Sequence, residues 1–252
     1  MSAGYDKQAL DRFLSLLPDK IRGNVLPVTP VDVKQPYLLH MSKDTGIKSF
    51  APRVSNRTLS AEDRSVPRIC VAPTLAGAIM GYSSDLSDFQ NQYGGSADYS
   101  KRRVPYKGGW WVYAIPFDVA LRPTRKILPD VERTDEHWLV TFDPNTIEYK
   151  PIPIAKFFYR AVTMVATDRR PSTKVELMVE VLGDEPLRFD NKTVLTKGYW
   201  RLTVDGLHTA RRWDRIPSVE VSEIPKVEYS ATKQLVASML SVEEATPVSA
   251  MW

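Results

Sequence analysis

The stretch from Pro36 to Tyr82 constrains the fold more than any other part of this chain. It opens on Pro36-Tyr-Leu-Leu-His-Met-Ser42, a short apolar run that delivers His40 and Ser42 at the end of a buried strand. It closes on Arg68-Ile-Cys-Val-Ala-Pro-Thr-Leu-Ala-Gly-Ala-Ile-Met-Gly-Tyr82. That second piece reads as a strand over Arg68–Ala72, a turn through Pro73-Thr74 and a small-residue helix with Thr74 as its N-cap. What the two pieces hold between them governs both fold and function.

On the N-terminal side, residues 5–17 read as an amphipathic helix. Leu10, Phe13, Leu14 and Leu17 share a face, Asp6 caps the start and Pro18 closes it. Pro27, Pro30 and Pro36 then predict an extended connector, so that 1–35 forms a helix and connector ahead of a domain over 36–150. Inside that domain, Lys43 to Pro67 is loop-like, with Ile47 and Phe50 as apolar anchors and Arg53, Arg57, Arg64 and Arg68 in or beside it. A second polar loop, Ser83 to Gly109, is 27 residues long and too long for a passive connection. Trp110–Pro116 is a strong strand, and Glu136 stands at the mouth of another, Trp138–Phe142.

From about Pro151 the texture becomes short β-type runs at Phe157–Ala166, Lys174–Leu182, Thr193–Val204 and Val219–Val221. Val175, Leu177, Val179 and Val181 alternate with Lys174, Glu176, Met178 and Glu180, which predicts an antiparallel sheet with one wet face. Tyr229–Leu240 reads as a last helix before a tail. The fold class expected is α+β, with a β-rich region over 151–252.

Composition narrows the chemistry. No apolar run approaches the roughly 20 residues of a membrane span, no secretory pattern opens the chain, and the single cysteine, Cys70, allows no intrachain disulfide. A cytoplasmic protein is expected. The three histidines, His40, His137 and His208, lack metal-site spacing, so no metal is expected. Neither Gly94-Gly95 nor Gly108-Gly109 leads into Lys-Ser/Thr, and Gly-x-Ser-x-Gly is missing, which argues against phosphate-loop and serine-hydrolase chemistry. The net charge is only +4, but Lys101 to Lys126 holds seven Lys/Arg against Asp118 alone. Such a stretch meets a phosphate backbone or an anionic cofactor, or is a solvated loop.

One constellation remains: a histidine ending an early strand, a strand-turn-helix of small residues, and a glutamate opening a later aromatic strand. Tyr37-Leu-Leu-His-Met-Ser42, Arg68-Ile-Cys-Val-Ala-Pro-Thr74 with Ala76, Ala78 and Tyr82, and Glu136-His-Trp-Leu-Val140 together resemble the ADP-ribosyltransferase fold of the His–Tyr–Glu type. The likeness is closest to small bacterial and phage proteins that carry Pro-Arg, Arg-Ile/Val-Cys and Thr-x-Glu-x-Trp signatures, here Pro52-Arg53, Arg68-Ile69-Cys70 and Thr134-Asp-Glu-His-Trp138.

The resemblance covers about 36–160 and implies a split antiparallel sheet with short helices, extended by the β-rich region. It implies an enzyme that splits NAD and moves ADP-ribose to a protein or nucleic-acid acceptor, or hydrolyses NAD. His40 would bond the nicotinamide ribose, and Glu136 would stabilise the cation that develops as nicotinamide leaves. Ser42, Arg53, Arg68 and Tyr82 would help bind NAD, the arginines through the pyrophosphate. His40 and Glu136 would then line one cleft about 10 Å across. The family's glycine after histidine is Met41 here, and its stacking aromatic is replaced by Cys70-Val71. The alternative is a non-catalytic viral module that keeps the fold and binds nucleic acid or a protein through Lys101, Arg102, Arg103 and Lys107.

Overall fold

The computed structural model describes residues 6–54, 64–81, 107–142, 148–164, 172–205 and 213–216. Helix α1 (Lys7–Leu16) forms where the periodicity predicts it, and the Asp6 carboxylate accepts the N–H groups of Gln8 and Ala9. The proline-rich segment after it is not an extended connector. It folds into α2 (Asp19–Arg22), β1 (Val25–Val28) and α3 (Pro30–Val33). The prolines sit where a missing N–H costs little: Pro18 flanks α2, Pro30 opens α3 behind a Thr29–Asp32 capping box, and Pro27 lies on an edge strand.

Strand β2 (Tyr37–Ser42), strand β3 (Ile69–Val71) and helix α4 (Leu75–Gly81) follow. The Thr74 hydroxyl accepts the Gly77 N–H, as an N-cap should. After β4 (Lys107–Pro116) come β5 (Ala120–Pro123), α5 (Val131–Thr134) and β6 (His137–Leu139). The C-terminal part supplies β7 (Ile152–Met164), β8 (Ser172–Val181), β9 (Leu187–Arg188), β10 (Val194–Leu195), β11 (Gly198–Asp205) and β12 (Trp213–Ile216). The segments 219–221 and 229–240 read as strand and helix lie outside the described residues.

The molecule is α+β, and its described strand pairs are antiparallel. A four-stranded sheet runs β1-β5-β6-β3, a six-stranded sheet runs β12-β11-β8-β7-β4-β2, and β9 pairs with β10. Strands from both sides of residue 150 therefore share the larger sheet. The sheets meet at one isolated bridge, Leu39 to Ala72, closed by N–H···O bonds of 2.8 and 2.9 Å.

Three apolar clusters fix the arrangement. Leu38 and Ile115 of the large sheet pack with Ile69, Val71, Ala120 and Leu139 of the small one, so this cluster lies between the sheets. On the other side of β2, Leu39 and Met41 join Trp110, Val112 and the α4 residues Leu75 and Ile79. On the other side of β6, Trp138 joins Leu10, Leu17 and Ile21 beneath α1 and α2. Each such side chain contributes about 1.5–3 kcal/mol when fully buried. In β8, Met178 and Val179 are both fully buried, so the wet face expected there is covered at that point. Among the described residues no helix is long and apolar enough to cross a membrane.

Candidate functional site

Strand β2 carries His40 directly opposite Tyr113 of β4. The ring donates from Nδ1 to the Cys70 carbonyl at 2.8 Å, and Phe50 meets it edge-on at a centroid distance of 4.6 Å. Phe50 also packs edge-on against Tyr113 and against the cluster between the sheets. His40 therefore belongs to the inner side, with Leu38 two residues before it. Packing beneath these rings lowers its pKa from the ordinary 6.5; the Cys70 bond opposes that, and Arg53 adds to it. The imidazole is neutral at pH 7.

Glu136 reaches β6 through Asp135, whose left-handed backbone (φ 47°) ends α5 and turns the chain into the strand. The Glu136 carboxylate accepts the Trp138 indole N–H at 2.8 Å. Residues two apart on a strand share a face, and Trp138 faces α1. Leu139, between the sheets, faces the other way. So β3 lies between the two candidates: His40 bonds its Cys70 carbonyl, and Trp138 pairs with Cys70 from the opposite neighbour. The backbones of β2 and β6 are about 10 Å apart across two strand spacings. The side chains leave them on opposite sides, and the one-cleft arrangement is not what this geometry gives.

The remaining candidates scatter. The Ser42 hydroxyl accepts the Asp44 N–H and closes a turn. Arg68 is buried at 2% exposure, with its guanidinium 4.3 Å from the centre of the Trp138 ring and Nη1 donating to the Val66 carbonyl. Its face is Glu136's. Arg53 is exposed, paired through its backbone to Arg68. Tyr82, Lys101, Arg102 and Arg103 lie outside the described residues, and Lys107 opens β4 opposite Tyr159. Among the described residues no group of His, Cys, Asp and Glu is arranged to hold a metal ion.

A cleft of about 440 Å³ opens elsewhere, between α4, α5 and the β9–β10 turn, lined in part by Thr74, Arg122, Arg133, Asp135 and Asp190. Its charges are matched locally. Arg122 pairs with Asp135 at 3.3 Å and Arg133 with Asp130 at 3.2 Å. Thr74 and Asp135 lie within the quoted motifs, Thr74 as an N-cap and Asp135 as a spacer, whereas Arg122, Arg133 and Asp190 carry no motif, so the sequence offered no signal that these residues share a cleft. His137, inner-facing on β6, was visible in the sequence only as a histidine without a metal-site partner; its Nδ1 donates to the Asp135 carbonyl at 2.8 Å. No protein-family model, curated protein or solved structure matches this chain.

Proposed function

We propose that this chain is a non-catalytic binding module on an ADP-ribosyltransferase-like scaffold, and that it holds nucleic acid through the basic segment Lys101, Arg102, Arg103 and Lys107. The observation that carries the non-catalytic half is the separation of His40 and Glu136 by β3, with each group committed to an internal hydrogen bond. A carboxylate that steadies a developing ribosyl cation has to share the sugar's cleft with the group that holds the ribose. The scaffold half draws support from two antiparallel sheets meeting beside the histidine strand.

Charge supports the binding half. Within the basic stretch, Arg122 and Arg125 are paired with Asp135 and Glu132. Lys101 to Lys107 contains no acid to offset its four cations. Cations in that density neutralise phosphates and release counterions, so binding should fall steeply with salt. The test is fluorescence anisotropy with labelled single- and double-stranded oligonucleotides across a salt series. The Lys101→Ala, Arg102→Ala, Arg103→Ala triple variant should bind more weakly on every sequence. Its log–log salt slope should be shallower by about two to three. Equal binding by variant and wild type overturns the assignment.

A second reading, NAD cleavage in the cytoplasm, keeps one observation in its favour. His40 is neutral and fixed by a backbone carbonyl, as a ribose-binding imidazole would be. Nicotinamide release from NAD tests it.

A further inference from the structure

The chain enters β4 at Lys107, at the end of the six-stranded sheet where β2 stops with Ser42 opposite Trp111. The 43–53 segment leaves from that same end. The Tyr113 hydroxyl donates to its Asp44 carbonyl at 2.9 Å, and Phe50 packs edge-on against Tyr113. Two isolated bridges fix its far part, Phe50 to Tyr149 and Arg53 to Arg68. A fixed backbone path therefore runs from the start of β4 to the start of β3.

Phe50 and Tyr149 pack into the cluster between the sheets. Their chain neighbours Ser49, Ala51, Glu148 and Lys150 are exposed, as are Lys48 and Arg53. Among the described residues Lys48, Arg53 and Lys150 take part in no ion pair, unlike Arg122, Arg125 and Arg133. The acids along the path are Asp44 and Glu148, both exposed. From Lys48 to Arg53 the chain spans at most about 18 Å. One strand of a duplex presents a phosphate about every 3.4 Å of axis, so this length underlies about five phosphates. The exposed side chains between the two cations, Ser49 and Ala51, supply none of the aromatic anchors that the core of a protein interface carries. They are also too small to hold a phosphate backbone away from the cations.

We propose that Lys48, Arg53 and Lys150 form a second phosphate-contacting surface, which continues the basic segment 101–107 along the backbone of the same nucleic acid. The assignment rests on the nucleic-acid binding proposed above and extends it to a part of the molecule with a fixed backbone.

Fluorescence anisotropy with single- and double-stranded oligonucleotides of about 20 nucleotides, taken across a salt series, tests the surface. The Lys48→Ala, Arg53→Ala, Lys150→Ala triple variant should bind about tenfold or more weakly, with a log–log salt slope shallower by about two to three. Each single substitution should move the slope by about one, so the measurement stands even if the triple variant does not fold. A control variant, Lys7→Ala, Lys20→Ala, Lys192→Ala, removes the same charge from exposed positions on α1, α2 and the β9–β10 turn and should bind like wild type. The surface is overturned if Lys48, Arg53 and Lys150 variants match wild type, if the control loses as much, or if a polyglutamate peptide binds wild type as tightly as the oligonucleotides. Weakening in the Lys101→Ala, Arg102→Ala, Arg103→Ala variant alone would remove this surface and leave the nucleic-acid reading standing. Failure of wild type to bind any oligonucleotide would remove both.

Discussion

Glu136 accepts the indole N–H of a tryptophan with no solvent exposure, and that bond governs how the residue should answer to mutation. Glu136→Ala strands a buried donor and should cost about 1–3 kcal/mol in denaturant unfolding. Glu136→Gln retains an acceptor oxygen and should cost less than about 1 kcal/mol. Tyr149 supplies a second residue-scale check. Its hydroxyl donates to the Val140 carbonyl, and burial, reinforced by Asp118, pushes its pKa up to about 12. The unfolded phenol ionises near 10, so the stabilisation present below that pH should be lost progressively between it and about 12. An alkaline unfolding series on wild type and Tyr149→Phe checks this, and the variant should lack that part of the alkaline loss. At this scale the sequence showed that His40 lies in a strand and that Glu136 directly precedes one, because short apolar runs mark strands. Strand β2 runs on to Ser42, so His40 is not at its end. It did not show which way they face. Strand β6 is three residues long, too short for alternation to choose a side, and the partner of His40 lies thirty residues away at Cys70.

Among the elements, α4 meets the end of α5 at Gly77 with no room for a side chain. A Cβ there would stand 2.5 Å from the Thr134 carbonyl oxygen, which is backbone and cannot swing aside. Gly77→Ala gains roughly 0.5–1 kcal/mol of helix propensity, yet should be destabilising by about 1–3 kcal/mol through overpacking. The denaturation midpoint reads the sign. Elements with local signals were legible: Asp6 and the leucine spacing of α1, Thr74 ahead of α4, and the aromatic run of β4. Those set by tertiary pairing were not. Gly108-Gly109 read as loop but lie within β4, β5 was missed between its prolines, and Thr193–Val204 is two strands, β10 and β11. Glycine and proline mark turns by default, and only pairing with a neighbouring strand overrides them.

For the whole molecule, the six-stranded sheet crosses the change of texture near residue 150. Ala155, Phe157, Val179 and Val181 share one core with Leu39, Met41 and Trp110. A fragment ending at residue 150 would leave β4 without β7 and open that core. It should show no cooperative thermal transition by calorimetry, whereas the full chain should. Under the proposed function, His40 and Glu136 serve packing and the full chain binds without cleaving NAD. Nicotinamide release from NAD by the full chain tests it most directly. Wild type should release no nicotinamide above the buffer control, and Glu136→Gln none either. Release by wild type that falls about 10²–10³-fold in a folded Glu136→Gln variant would contradict it, because only a carboxylate acting on the transition state loses that much with its shape intact.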